Sequence, residues 1–442
     1  MLLTSLDVTI VNVALPTIRN NLAVEAHSLG WMVVGYTIPF ATLMLSGGAI
    51  TDRVGPERAF LLGIMIFGLG SLGCAAAGNL TTLVAARVSQ GIGAAICTPS
   101  ALAVLRSNVP ASQLGRAVAY WAFSGAIAIS AGPLLGGVLI EAFGWRSIFL
   151  LNLPIVITAA MLTLPQARRP SAMKNTGRTD TLGQLIYAGS SIVVVAGTNL
   201  LQHDRGSTVS IVAPAVAVAA VCGFALFYVV EARASNPVLP PALFRSRVFQ
   251  SAVIVGASVN AVNFGLLYCL GLFYGGNHGL SALHSGLLFL PMMLATGVST
   301  TVVEPIRSMV GDHITVVAGL LLELMGAVLI AAGTDTVVWV SIWTVPMGFG
   351  VGLVIPPITT RLLNSVDPAE SGTASGAFSS LRQLGSAVGV AAFGLGVRES
   401  GTSLHVDIRS ISATCTGLIA ISVLTYLITA RSATNDRSTS RS

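Results

Sequence analysis

Long apolar stretches separated by short polar breaks run along the whole chain. A helix that crosses a membrane needs about 20 predominantly apolar residues, and dividing the chain at its polar positions gives about fourteen such stretches. The spans predicted in this way are 1–20, 29–51, 58–78, 80–106, 116–141, 145–165, 181–202, 208–231, 249–274, 283–304, 313–333, 336–362, 372–397 and 410–431. The pattern predicts an all-α polytopic membrane protein with about 14 transmembrane helices.

Two breaks are longer than the others, and they enclose the seventh and eighth predicted spans. They read QARRPSAMKNTGRTD and EARASNPVLPPALFRSR. We therefore expect a first six-helix lobe at 1–165, linker loops with two extra central helices at 166–248, a second six-helix lobe at 249–431, and a cytoplasmic tail at 432–442.

A faint internal repeat supports two related halves. A Val-Gly pair ending at Gly55 and another ending at Gly311 each open a predicted helix, and Gly63 and Gly319 follow at the same spacing. Duplicated halves that enclose a site near the membrane midplane are typical of transporters.

The composition excludes a water-soluble domain and several kinds of site. Hydrophobic residues make up 53% of the chain and charged residues 9%, whereas soluble domains contain about 25% charged residues. The net charge of +6 comes from basic residues that are not clustered on a soluble face, so no nucleic-acid partner is expected. The five cysteines lack Cys-x-x-Cys spacing, and neither a metal site, a disulfide framework nor a cofactor is expected.

The distribution of arginine and lysine predicts the orientation. If the first loop faces outward, sixteen basic residues lie in the inner loops and tail and five in the outer loops. By the positive-inside rule both termini are cytoplasmic, in a multi-pass protein of the cell membrane. The N-terminus lacks the basic region of a signal peptide, so we expect the first helix to remain in the mature chain.

The loop after the second span reads GGAITDRVGPERAFLLG. It resembles the cytoplasmic-loop motif of the major facilitator superfamily, usually written GxLADRxGRK. The residues that carry the resemblance are Gly48, Asp52, Arg53, Gly55 and Arg58. Asp52 and Arg53 are placed to pair across a helix end. Pro56 and Glu57 replace the basic pair of the motif, so we expect a weaker charge network in this inner-gate loop.

Further segments resemble the fourteen-spanning drug:proton antiporter branch of that superfamily, in its order. They are LDVTIVNVALP (6–16), RVSQGIGAA (87–95, with Gln90 and Gly91), GAIAISAGPLLGG (125–137), GLSALHSGLLFLP (279–291) and SGTASGAFSSLRQLGSAVGVAAFG (371–394). The resemblance implies two lobes that rock around a central cavity, and export of a compound in exchange for protons.

Ionisable residues inside spanning helices are functional candidates because each costs about 2.5–3.5 kcal/mol on insertion scales. Asp7 is the leading proton carrier, and the alternative is a position near the inner interface, since only six residues precede it. It can bind a proton near neutral pH only if burial disfavours its charge, which a nearby arginine would oppose. The resemblance links Arg87 to proton coupling, with snorkelling to the interface as the alternative. Glu323 is either a second protonation or cation-recognition site or a structurally satisfied group. Arg382 either partners acidic groups or helix ends, or faces the inner vestibule.

The fifth span carries helix breakers in its middle. They belong to the antiporter motif, whose residues here are Gly125, Gly132, Pro133, Gly136 and Gly137. Gly132 and Gly136 fall on one helix face and admit a neighbouring backbone closely. Pro133 bends the helix locally. We expect a hinge and seal that closes the outer half of the protein, with a packing kink as the alternative.

These observations predict proton-coupled efflux of hydrophobic or cationic drug-like compounds by a monomer in the lipid bilayer. The alternatives are a dedicated exporter of one endogenous metabolite or antibiotic, an uptake symporter of the same fold, and a non-transporting receptor. A membrane enzyme is not expected, because no cluster of polar catalytic residues is found at one interface.

Overall fold

The computed structural model describes residues 2–168, 181–203, 209–234, 237, 239, 241, 243–333, 336–366, 371–400 and 403–439. Apolar helices dominate these residues. The helices are α1 Leu2–Leu22, α2 Gly30–Val54, α3 Pro56–Ala76, α4 Leu80–Asn108, α5 Ala111–Phe143, α6 Ser147–Leu150, α7 Asn152–Ala167, α8 Thr181–His203, α9 Val209–Arg233, α10 Arg247–Leu272, α11 Ala282–Ala332, α12 Val337–Leu363, α13 Ser371–Phe393 and α14 Ile408–Thr439.

Most helices begin and end within a few residues of the predicted spans, with differences at the C-terminal end, and the number of fourteen spans stays a prediction. Ten helices in the described part of the chain are long and apolar enough to cross a membrane. Helix α13 ends at Phe393, short of the predicted 397, and an antiparallel hairpin follows, with strands β1 Val397–Ser400 and β2 Ser403–Val406. Helix α14 continues to Thr439, beyond the predicted start of the tail at 432.

Helix α11 is two helices joined at a sharp bend. Its 51 residues would extend about 77 Å at 1.5 Å per residue, more than twice the ~30 Å hydrocarbon core. At Gly311 the backbone leaves the helical region, with φ 83° and ψ 164°. This bend lies in the predicted break between spans 283–304 and 313–333.

The same backbone conformation recurs at the α2–α3 turn. Gly55 has φ 92° and ψ 150°, close to the values at Gly311, and only glycine adopts such a conformation readily. The faint repeat in the sequence therefore corresponds to two equivalent turns between helices.

The helices that follow these two turns cross their partners in the same way. A Cβ atom on Gly63 of α3 would lie 2.9 Å from the carbonyl oxygen of Gly93 in α4. A Cβ atom on Gly319 of α11 would lie 2.9 Å from the carbonyl oxygen of Gly350 in α12. Each pair brings two backbones together where a side chain would separate them.

Helices α1 to α7 pack mainly among themselves, as do α10 to α14. The two groups meet where α5 contacts α11, where α2 contacts α13, and where α1 contacts α10. Helix α8 pairs with α9 and also contacts α2 and α13. We call the end of the bundle where α1 ends and α2 begins the first-loop end.

Candidate functional site

Asp7 and Arg87 form an ion pair inside the first group of helices. Asp7 lies on α1 and Arg87 on α4, and Nη1 of the arginine donates to Oδ2 of the carboxylate. The side chain of Asp7 is 0% exposed and that of Arg87 is 1% exposed. Arg87 therefore does not snorkel to an interface, and its guanidinium is in direct contact with the Asp7 carboxylate.

Two amide side chains complete the surroundings of the carboxylate. Gln90 Nε2 lies 3.2 Å and Asn152 Nδ2 lies 3.0 Å from Asp7 Oδ1, and both donate to it. The same amides donate to Ser71 Oγ, at 2.8 Å from Gln90 and 3.2 Å from Asn152. Asp7, Ser71, Arg87, Gln90 and Asn152, all buried, are called the polar cluster below.

The remaining contacts of Arg87 fix its guanidinium in place. Its Nε donates to the carbonyl oxygen of Met32 at 3.2 Å, and its Nη1 donates to Gln90 Oε1 at 2.9 Å. Its Cζ lies 4.4 Å from the centre of the Tyr36 ring. A buried cation of this kind is favourable only when its donors are paired, and here they are distributed over α1, α2 and α4.

The sequence identified Asp7, Arg87 and Gln90 of this cluster and missed Ser71 and Asn152. Ser71 lies in the run GLGSLG and Asn152 in the otherwise apolar run IFLLNLPIV. Each is a single polar residue in an apolar helix. Buried polar groups in proteins are paired, so such a residue indicates a polar partner on a neighbouring helix.

The antiporter motif packs tightly against α1. A Cβ atom on Gly132 would collide with the Thr9 hydroxyl and lie 3.1 Å from Thr9 Cβ. A Cβ atom on Gly136 would lie 2.7 Å from Ile10 Cγ1. Gly125, about two turns before Gly132, is also buried. Gly132 and Gly136 let α5 and α1 approach more closely than any side chain would allow.

The opposite face of the motif packs against the beginning of α11. A Cβ atom on Gly137 would lie 2.7 Å from the carbonyl oxygen of Ala282. Gly286 of α11 lies against the carbonyl of Pro133. Helix α5 is thus held between α1 of the first group and α11 of the second.

Helix α1 also meets the second group directly. Gly271 of α10 lies against the backbone carbonyl of Asn12, and a Cβ atom on Gly275 would lie 2.5 Å from Pro16 Cγ. The two groups are therefore in close contact at the first-loop end, along α1, α5, α10 and the beginning of α11.

The loop that resembles the cytoplasmic motif connects helix ends within the first group. Arg58 Nε donates to the carbonyl oxygen of Ala167 at 3.0 Å. Glu57 Oε1 accepts from Ser107 Oγ at 3.3 Å and from Asn108 Nδ2 at 3.1 Å. The replacement of a basic residue by Glu57 therefore adds contacts to the end of α4, where we had expected a weaker network.

Gly48, Asp52 and Arg53 belong to the last two turns of α2. Asp52 and Arg53 are exposed at the end of α2. A Cβ atom on Gly48 would meet nothing within 4 Å, whereas one on Gly91 of α4 would lie 3.1 Å from Pro39 Cβ in α2. Gly91 thus allows α2 and α4 to pack closely where they cross. Close packing does not explain the glycine at position 48.

Glu323 and Arg382 lie apart from the polar cluster, in the second group of helices. Glu323 is 1% exposed, and neither carboxylate oxygen has a hydrogen-bond partner among the described residues. The described residues therefore do not support the interpretation of Glu323 as a structurally satisfied carboxylate. Arg382 Cζ lies 5.6 Å from the centre of the Phe378 ring, and its Nε is buried with no partner in the described part of the chain.

Comparison with known proteins identifies the family of the chain. The family model described as the Major Facilitator Superfamily matches residues 1–390. The methylenomycin A resistance protein of Streptomyces coelicolor is 34% identical over 398 residues, which cover 88% of this chain and 82% of that protein. The multidrug resistance protein Stp of Mycobacterium tuberculosis is 32% identical over 396 residues, covering 88% and 72%.

Solved structures share the fold at low sequence identity. A peptide transporter POT in complex with sulfate superposes with a TM-score of 0.69 at 13% identity, covering 98% of this chain and 93% of that chain. A bacterial homologue of the human lysosomal transporter Spinster, inward-facing and unoccupied, gives a TM-score of 0.64 at 14% identity, covering 97% and 93%. This chain belongs to the major facilitator superfamily, and it is a multi-pass membrane transporter with the all-helical fold of that family.

Proposed function

We propose that this transporter exports drug-like organic compounds in exchange for protons. The polar cluster is the observation that carries the proposal, because protonation of a buried carboxylate balanced by one arginine changes the charge of the whole cluster. We call this protonation of Asp7 the switch. When Asp7 binds a proton its negative charge disappears, and Arg87, Gln90 and Asn152 lose the acceptor that holds them together. Protonation therefore changes which arrangement of α1 and α4 is favourable, and this is what coupling requires.

Helix α1 connects this switch to the contact between the two groups of helices. Asp7 lies within one turn of Thr9 and Ile10, which pack on Gly132 and Gly136. A shift of α1 caused by protonation of Asp7 would act directly on this packing. We propose that Gly125, Gly132, Pro133, Gly136 and Gly137 form the hinge and seal that closes the outer side while the inner side is open.

The proposal uses the organisation predicted from the sequence. In that organisation the protein has fourteen spans, with one lobe at 1–165, a second at 249–431 and two extra helices between them in 166–248. A tail follows at 432–442, and both termini lie in the cytoplasm. The protein would act as a monomer in the cell membrane, and Asp52, Arg53 and Arg58 would belong to the inner gate. The first-loop end is then the outer end, so the close contact of α1 and α5 with α10 and α11 corresponds to a state closed to the outside.

The names of similar proteins support export of organic compounds. Two of them are the methylenomycin A and Stp proteins described above, and a third is the tetracenomycin C resistance and export protein of Streptomyces glaucescens, 29% identical over 402 residues. These names also favour a second candidate function, export of a single antibiotic, because two of the three refer to one compound. Both candidates predict antiport, and they differ in how many compounds drive it.

Reconstituted protein tests the proposal. In proteoliposomes with an internal pH-sensitive dye, a panel of cationic, neutral and carboxylate-bearing compounds should drive proton movement opposite to their own. At 100 mV, one proton supplies about 2.3 kcal/mol, which sustains roughly a fifty-fold gradient of a neutral compound. Asp7→Asn should abolish the coupled movement, while Glu304→Gln, at an exposed ion pair with Arg307, should retain it.

The outcomes separate the candidates. Proton movement with many members of the panel supports multidrug efflux, and movement with one compound supports a dedicated exporter. Undiminished uphill transport by folded Asp7→Asn protein would remove Asp7 from the mechanism, and transport without any proton movement would overturn antiport.

A further inference from the structure

A second cation lies inside the protein without the compensation that Arg87 has. Arg382 is about eleven residues after Ser371, the first residue of α13, which places it roughly 16 Å along the helix at 1.5 Å per residue. The hydrocarbon core is about 30 Å thick, so this position is close to the midplane. A side chain at that depth cannot reach the headgroups by snorkelling.

The helices around α13 carry almost no negative charge. Helix α13 packs against α2, α8, α10 and α12, and these four helices contain one acidic residue between them, Asp52. Asp52 is exposed at the end of α2. Neither a hydrogen bond nor an ion pair joins the Arg382 side chain to another described residue, and the phenyl ring of Phe378 is the group that faces its Cζ.

A strip of neutral polar groups continues from Arg382 along α13. Ser386 Oγ donates to Gln383 Oε1 at 3.3 Å and accepts from Asn260 Nδ2 of α10 at 3.1 Å. Arg382 itself is half-buried between α13 and α10, where a Cβ atom on Gly256 would lie 3.8 Å from its Cδ. The surroundings thus combine an aromatic face, a neutral polar strip and a guanidinium whose Nε has no partner among the described residues.

Such an arginine is suited to bind an anion from outside the described residues. Arginine keeps its charge at any physiological pH, and an unpaired charge in a spanning helix costs about 2.5–3.5 kcal/mol on insertion scales. A carboxylate can accept two parallel N–H bonds from one guanidinium. A ligand with a carboxylate and an apolar body would match both Arg382 and the Phe378 ring.

We propose that Arg382 recognises a carboxylate on the transported compound, so that the substrates are hydrophobic organic acids. This inference rests on the proposed function, because it assigns the substrate class of that exporter. It also changes the expectation drawn from the sequence, since cationic compounds would meet a like charge at this position. The Asp7–Arg87 pair is not involved, because each of its members already balances the other.

Binding to the purified protein tests this without a proton gradient. Protein in lipid nanodiscs is titrated at pH 7.5 with a series of aromatic carboxylates and their matching amides, such as 2-naphthoate and 2-naphthamide, and tryptophan fluorescence is followed. The unaltered protein should bind the carboxylates more tightly than the amides. Arg382→Gln should weaken carboxylate binding about tenfold or more, as expected for loss of a charge-assisted hydrogen bond, and leave amide binding unchanged.

Two further variants distinguish recognition from a general effect. Arg382→Lys keeps the charge without the bidentate geometry, so it should fall between the unaltered protein and Arg382→Gln. Arg361→Gln removes an arginine that is held by the Tyr426 hydroxyl at 3.0 Å, and it should leave the carboxylate preference intact.

Equal affinity of the unaltered protein for acids and amides would overturn the proposal, as would an acid preference that survives in Arg382→Gln. Neither result bears on proton coupling, which the Asp7→Asn transport experiment tests separately. Conversely, an acid preference that depends on Arg382 would stand even if no proton movement were found.

Discussion

The two groups of helices each hold one arginine well inside a spanning helix, and they treat it in opposite ways. Arg87 contacts a carboxylate, an amide oxygen, a backbone carbonyl and an aromatic face. Arg382 contacts an aromatic face and has a buried Nε without a partner among the described residues. The first cation is part of a closed, internally balanced network, and the second is open to a ligand.

A second difference separates the equivalent helix crossings. Phe67 of α3 and Glu323 of α11 each follow the crossing glycine, Gly63 or Gly319, by four residues. Both are buried, Phe67 at 0% and Glu323 at 1% exposure. At this position one half has an apolar ring, and the other has a carboxyl group without a hydrogen-bond partner among the described residues. Packing alone therefore does not explain Glu323, and we propose it as a second protonation site.

The largest expected difference is between removing the two arginines. Arg87→Met leaves the Asp7 carboxylate buried without its cation, and breaking a buried pair from one side costs about 3–5 kcal/mol. Arg382→Met leaves no charged partner behind and loses a cation–π contact of about 0.5–1 kcal/mol. Thermal unfolding in detergent should show a large decrease in stability for the first variant and a small change for the second.

A double variant provides the control for this prediction. Asp7→Asn combined with Arg87→Met removes both charges, so it should recover much of the stability lost in Arg87→Met. Equal destabilisation by Arg87→Met and Arg382→Met would mean that the contrast between a closed and an open cation is wrong.

The sequence predicted an all-helical membrane protein correctly because the spans are long apolar runs, and length and composition decide whether a helix can cross a bilayer. Ten helices among the described residues meet that condition, and the count of fourteen stays a prediction. It also located the bend in α11, since Gly311 and its neighbours interrupt the apolar pattern. The hairpin after α13 was not predicted. Its strands fall in a short polar link, and the two hydrogen bonds between Asn277 and the backbone of Val406 join positions far apart in the chain.

The site was predicted in part for a similar reason. Asp7, Arg87 and Gln90 were visible as polar residues in apolar helices, and the resemblance gave them a role. The pairing of Asp7 with Arg87, and the part that Asn152 plays in it, depend on how α1, α4 and α7 pack together. Spacing along one helix carries no information about that packing.

The next effect concerns Glu323 and is of intermediate size. Replacing a buried polar group that has no partner by an apolar one of similar length removes a penalty of about 1–3 kcal/mol. Glu323→Met should therefore raise the unfolding temperature, and as the proposed protonation site it should also change the number of protons moved per compound. A decrease in stability would indicate a hydrogen-bond partner for Glu323, and an unchanged proton count would leave it without a coupling role.

The smallest contrast is expected between the two equivalent turns. Gly55→Ala and Gly311→Ala both place a Cβ atom on a backbone with positive φ, which costs of order 1–3 kcal/mol for a residue other than glycine. A Cβ atom at Gly311 meets nothing within 4 Å, so backbone strain is the main effect there. If the turns are true counterparts, the two variants should lose similar stability in the same thermal assay, with Gly189→Ala of α8, also in open space, as the control without strain. A large loss of stability in Gly55→Ala with none in Gly311→Ala would show that the two turns do not constrain the backbone in the same way. The repeat would then be a similarity of sequence alone.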